Sequence, residues 1–173
     1  MQIKESLHFT STLEESTNKL WGCHFAIPPM VAGVLIEQRE DRRVVCTLHE
    51  KTAYQCAMLP RGDGTFLITV NKKIQKELGL KIGSRVQVSL HPDESEYGLP
   101  MPEEMAEVLA QDEIGNRLFH ALTPGKLRTL LYIVGKPKDA DARVHLALLI
   151  VEHLKANHGK INYRQLGETM KEK

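Results

Sequence analysis

The sequence predicts an α+β protein: a small closed β-barrel over residues 1–92, a linker over 93–101 and a small helical bundle over 102–173. Three observations carry that expectation. A strand, short helix, strand pattern fills residues 66–90, a fainter copy of it fills residues 25–48, and apolar spacing changes from period two to helical after an acidic, proline-rich stretch.

The chain opens with Leu7, Phe9, Ser11 and Leu13 alternating with polar residues, which predicts a strand ending at the polar cluster 14–18. Trp21, the sole tryptophan, is read as a packing group, with ligand stacking as the alternative. In the first copy Ile27, Val31 and Leu35 correspond to Val70, Ile74 and Leu78. After one inserted residue, Val44, Cys46 and Leu48 correspond to Val86, Val88 and Leu90. Pro28 stands at the step from strand to helix, where its missing N–H is harmless.

Residues 53–59 read as a further strand, and 60–64, Pro-Arg-Gly-Asp-Gly, as the turn that returns into the second copy. There Phe66, Ile68 and Val70 alternate into a strand, and Ile74, Leu78 and Leu80 mark a short helical turn. Gly79 can end that turn because glycine enters the left-handed region without penalty. Gly83 turns the chain into Val86, Val88 and Leu90. From His91 to Pro102 the composition breaks, with prolines and acids that continue no strand and form no helical stripe.

Beyond the linker, Pro102 opens a helix with Glu103 and Glu104 near its positive end and Met105, Val108 and Leu109 as its buried stripe. Asp112 caps a second helix, with Ile114, Leu118 and Leu122 inward. Thr123-Pro124 starts a third on Leu127, Leu130, Leu131 and Val134, which Gly135 and Pro137 stop. Asp139 or Asp141 caps the next, whose run 144–154 is apolar on nearly every side, as expected of a central helix that Gly159 ends. Asn162 with Gln165 resembles a capping box for the last helix, packed through Leu166 and Met170.

A length of 173 residues, a net charge of +1 and 42% hydrophobic content describe an ordinary globular chain and exclude a global basic field. Cys23, Cys46 and Cys56 form no CxxC pair and read as reduced core thiols. No apolar run approaches the roughly 18 residues that span a bilayer, and no apolar signal core opens the chain, so a cytoplasmic protein without membrane insertion, monomeric or weakly self-associating, is expected. His145, His153 and His158 are spaced by eight and five, which does not place imidazoles on adjacent turns, and no metal site is expected. No nucleophile, P-loop or dinucleotide motif is present, so no cofactor and no enzymatic activity are expected.

The stretch VNKKIQKELGLKIGSRVQV resembles the strand-loop-strand unit of the swapped-hairpin AbrB/MazE-type barrels. Two chains usually complete such a barrel; two units in one chain imply one that closes alone. As a whole, the GDGTFLITVNKKIQKELGLKIGSRVQV stretch followed by LPMPEEMAEVLAQD, ALTPGKLRTLLYIVGKPKDADARV and EHLKANHGKINY resembles a two-part bacterial family. That family joins a domain of unknown function to a helical "bacteriocin-protection, YdeI or OmpD-associated" domain. The resemblance implies non-catalytic binding of an unknown protein or small-molecule partner, connected with bacteriocin protection or stress. It transfers no catalytic residue.

Two basic surfaces are candidates. Lys72, Lys73, Lys76, Lys81 and Arg85, with Arg39, Arg42 and Arg43 in the related region of the first copy, are the candidate contacts for an anion or nucleic acid, since basic residues of AbrB-type barrels reach DNA. Glu37, Glu40, Asp41 and Glu77 interrupt both clusters, so nucleic acid is not the favoured partner. Arg128, Tyr132, Lys136 and Arg143, around the third helix and the turn after it, are the candidate partner face. A third alternative is an enzyme using a pocket between barrel and bundle.

Overall fold

The computed structural model describes residues 5–16 and 22–172. Trp21, and Thr17 and Asn18 of the polar cluster, lie outside the described residues. Seven helices and two four-stranded antiparallel sheets are present among them, strands first and helices after. The chain divides into two compact units, Met1–Glu94 and Ser95–Lys173.

The first unit runs β1 (Leu7–Thr12), β2 (Glu14–Glu15), β3 (Cys23–Ile27), α1 (Pro29–Gln38), β4 (Arg43–Leu48), β5 (Thr52–Ala57), β6 (Leu59–Pro60), β7 (Phe66–Thr69), α2 (Lys72–Leu78) and β8 (Arg85–Pro92). One sheet has the order β1-β8-β4-β5 and the other β2-β3-β7-β6. The expected single closed barrel is not found among the described residues: the strands form two four-stranded sheets. The two sheets are connected at Leu13 and Met58. Both are fully buried, and there a continuous edge strand bends out of one sheet and into the other, so β1 leads to β2 and β5 to β6. At the bends Leu13 N–H donates to the Ser84 carbonyl at 2.8 Å and Met58 N–H to the Arg42 carbonyl at 2.9 Å.

The registers repeat. Exchanging matched residues of β4 and β8 carries the pair Cys46–Leu90 onto Val88–Leu48, which is also present. The same exchange in β3 and β7 carries Ala26–Leu67 onto Thr69–His24. Equivalent carbonyls are even taken by side chains in the same way, Ala26 by the Ser11 hydroxyl at 2.9 Å and Thr69 by the Tyr54 hydroxyl at 3.0 Å. Alternation in β4 and β8 sends Val44, Cys46, Leu48, Val86, Val88 and Leu90 inward onto Phe25, Ile27, Ile68, Leu35 and Ile74.

Some boundaries depart from the expectation. α1 has ten residues rather than a turn and a half. β8 continues through His91 and Pro92, and Asp93 is buried with Gln55 Nε2 donating to its carboxylate at 3.2 Å. α2 ends as expected at Gly79, at φ 64°, and opens on a cap the sequence reading did not name, Asn71 Oδ1 accepting from Ile74 N–H at 2.9 Å.

The second unit holds α3 (Glu103–Gln111), α4 (Glu113–His120), α5 (Pro124–Gly135), α6 (Ala140–Ala156) and α7 (Tyr163–Lys171). α6 packs against the other four. Asp112, Asp139 and Asn162 cap α4, α6 and α7 by accepting from the N–H of Gly115, Ala142 and Gln165. In α4, Leu118 and Leu122 pack against the helical core as expected, but Ile114 is exposed and the fully buried positions are Gly115 and Phe119. Gly115 permits this, because it brings the α4 backbone against Val151 of α6. α6 is central yet not buried all round, since Val144 and Leu148 reach the surface. Its buried His153 accepts at Nε2 from Asn162 N–H at 3.0 Å, and burial holds its pKa down, so the imidazole is kept neutral.

Candidate functional site

The second unit carries a cavity of 510 Å³ bounded by residues 99–104, the C-terminal half of α5 and Arg143. Its construction begins with the segment read as a linker. Tyr97, Leu99 and Met101 alternate there and pack against the helical core. The His120 Nδ1–H donates to the Asn116 carbonyl at 2.9 Å, which leaves Nε2 to accept from the Tyr97 hydroxyl at 2.8 Å. Burial pushes the Tyr97 pKa up, so the phenol stays a donor. With Tyr97 so tied, Leu99, Pro100, Met101 and Pro102 form one wall.

The opposite wall follows from the stripe on α5. Leu127, Leu130, Leu131 and Val134 are buried, which turns Tyr132 outward at 63% exposure beside the edge of Leu131. Lys136, just past α5, lines the same cavity, is exposed and makes no ion pair among the described residues.

Arg143 closes the rim, but three of its five N–H donors are already used within the protein. Nη1 donates to the Pro137 and Lys138 carbonyls at 3.0 and 2.8 Å, and Nη2 to Glu104 Oε1 at 2.7 Å. That bond raises the guanidinium pKa and holds the Glu104 carboxyl below the ordinary glutamate range. Arg143 is therefore a clamp between α3 and the turn into α6. Because the folded pKa of Glu104 is depressed, the pair contributes fully above the ordinary glutamate value and is lost as pH falls through the lowered one. Glu104→Gln is expected to lower the melting temperature at neutral pH, with the difference from wild type shrinking as pH falls from the ordinary glutamate value through the lowered one. A difference that does not shrink on acidification in thermal unfolding would refute the clamp.

The structure thus brings Tyr132, Lys136 and Arg143 to one cavity; Arg128 is half-buried on α5 and does not line it. The wall residues and Glu104 were missed by sequence reasoning. The alternation of Tyr97, Leu99 and Met101 was the available signal, masked by the prolines and acids around it.

On the first unit, Lys72, Lys73 and Lys76 of α2 are exposed and make no ion pairs among the described residues. The arginines of the other copy are engaged. Arg39 Nε donates to Asp41 Oδ1 at 2.7 Å and Arg43 N–H to the same oxygen at 3.0 Å, so Asp41 is held below its ordinary range, chiefly by Arg39. Arg42 lies over the Phe66 ring, 5.9 Å from its centroid. The α1 positions equivalent to the three lysines are Pro29, Met30 and Gly33, so this helix adds no basic residue to a symmetric stripe.

Other reactive groups serve packing. The thiol of Cys56 is pushed well up by its hydrogen bond to Cys46 and by burial, the opposite of an activated thiolate. Among the described residues no group of three or more His, Cys, Asp or Glu could hold a metal ion, and no helix is long and apolar enough to cross a membrane.

No curated protein matches the chain. Residues 9–90, from β1 to β8, match the family model described as a domain of unknown function (DUF1905), and the first unit carries that domain.

Proposed function

We propose that this is a non-catalytic binding protein whose ligand enters the α5 cavity, its apolar body over Tyr132 and a carboxylate toward Lys136. The carrying observation is one 510 Å³ cavity that combines an apolar floor, an exposed aromatic ring and a cation with no ion-pair partner among the described residues. That volume suits a small ligand or a short peptide segment, and few polar groups over apolar walls is the usual make-up of such sites. The resemblance of the second half to the YdeI/OmpD-associated domain supports a cytoplasmic role in bacteriocin protection or stress. The repeating registers and bent edge strands support an AbrB/MazE-like barrel for the first unit.

The test is a thermal-shift panel of aromatic and aliphatic carboxylic acids on the full chain. A ligand at about 100 times its Kd adds about 2.7 kcal/mol to stability. At least one member is expected to raise the melting temperature, with Tyr132→Ala and Lys136→Glu each removing the shift. A panel without effect, or a shift that survives both substitutions, would overturn the reading.

A second reading, nucleic-acid contact, is favoured by the three lysines of α2 that make no ion pairs. Three phosphate contacts give a salt slope of only about −2.7 on duplex DNA, against a net charge of +1. Gel shifts are expected to show weak or no binding at physiological salt. A salt-sensitive, sub-micromolar complex lost on replacing Lys72, Lys73 and Lys76 with alanine would make this the better reading.

A further inference from the structure

We propose that the groove between α3 and α6 docks a basic amphipathic helix of another protein. The groove, 480 Å³ in volume, lies across α3 from the α5 cavity; the two share Glu103 and Glu104 but have different floors. Its floor is Val108 of α3 with Val144 and Leu148 of α6. Val144 and Leu148 are 38% and 49% exposed, one turn apart on the helix that the other four helices of the unit surround. A central helix that leaves two branched apolar side chains in water presents an unpartnered face.

The rim decides what covers that face. Glu103 and Glu107 stand one turn apart on α3, about 6 Å along its axis at 1.5 Å per residue, and neither makes an ion pair among the described residues. Glu104 is spent on Arg143. Gln111 Nε2 donates to Glu107 Oε1 at 2.6 Å and so fixes that carboxylate along the rim. Glu103 also favours the positive end of α3; Glu107 lies beyond the first turn and gains little from it. The protein as a whole is nearly neutral, so this acidity is local.

Carboxylates repeating at four residues match cations at i and i+4 of a second helix, while apolar residues at i+3 or i+4 on its adjacent face reach Val144 and Leu148. Ridges of such a ligand fit a groove between two helices, and an acidic helix would meet two uncompensated carboxylates.

The probe is a synthetic peptide of about 18 residues with leucine at helical spacing and lysine flanking it, titrated onto the full chain by fluorescence anisotropy. Saturable binding that weakens with salt is expected. Leu148→Asp, and separately the pair Glu103→Lys and Glu107→Lys, should each weaken it at least tenfold. The lysine pair should bind the peptide remade with glutamate in place of lysine, and Tyr132→Ala should leave binding unchanged. All substituted positions are exposed, and the charge-swapped peptide reads the site even if Leu148→Asp folds poorly. No saturable binding, or equal binding by wild type and the lysine pair, overturns the proposal.

Discussion

Replacing Phe25 with alanine is expected to destabilise the first unit by about 3–5 kcal/mol. Phe25 is fully buried in the middle of β3, directly opposite Ile68, the pair that maps onto itself when the two copies are exchanged. Its ring lies 6.2 Å from that of Phe9, which belongs to the other sheet, so the side chain fills space between the sheets. The same core includes strand residues such as Val44 and Val88, whose branched side chains are restricted at χ1 and which pair with a neighbouring strand on both sides. The lost transfer energy and the remaining cavity therefore add. Denaturant unfolding followed at the amides of β3 and β7 measures the loss in this unit; a change below about 1 kcal/mol would show that Phe25 does not join the sheets. Phe25→Leu should lose less, since it keeps most of the volume.

The second large effect is expected at Gly115. A Cβ there would sit 2.4 Å from Val151 Cγ1 and 3.1 Å from the Asp112 carboxyl carbon. Val151 is buried and β-branched, so it cannot swing aside, and Asp112 is fixed by capping α4 and by its 2.7 Å bond to Lys155. Overpacking of this kind costs about 1–3 kcal/mol or more. Gly115→Ala regains up to about 1 kcal/mol of helix propensity and should show a moderate net loss. Gly115→Leu has no such offset and should lie at or beyond the upper end. The clash predicts coupling: Gly115→Ala combined with Val151→Ala should destabilise less than the two separately summed, by about 0.5–3 kcal/mol. Additive losses in urea unfolding would contradict the close approach.

How legible each part was depends on whether the signal was local. Apart from its Asn71 cap, which was not read, the core of the α2 unit was readable because its stripe and its left-handed glycine lie within a few positions of each other. The turn between β4 and β5 was not, since His49 and Glu50 take left-handed conformations without the usual glycine or asparagine. The edge strands read as single runs, and nothing local marks Leu13 or Met58 as the place where each changes sheet. In α4 the apolar spacing pointed Ile114 inward as well as Leu118 and Leu122; the missing side chain at Gly115 instead lets that position face Val151, and Ile114 is left exposed. For the site, Tyr132 and Lys136 could be named from the α5 stripe alone, whereas the wall opposite them could not.

The sequence by itself determined the change from strands to helices, the two matched strand-helix-strand units, the caps at Asp112 and Asn162, and the outward face of α5; between Asp139 and Asp141 the structure chose Asp139. These rest on periodicities and hydrogen bonds within a few residues. Only the tertiary structure decided that the strands divide into two sheets joined at two buried bends, that Arg143 is a clamp rather than a free cation, and that residues 97–102 build a cavity wall. Each of these depends on partners such as Glu104 and His120 that lie 39 and 23 positions away from Arg143 and Tyr97, a separation over which no pattern in the chain reports which groups will meet.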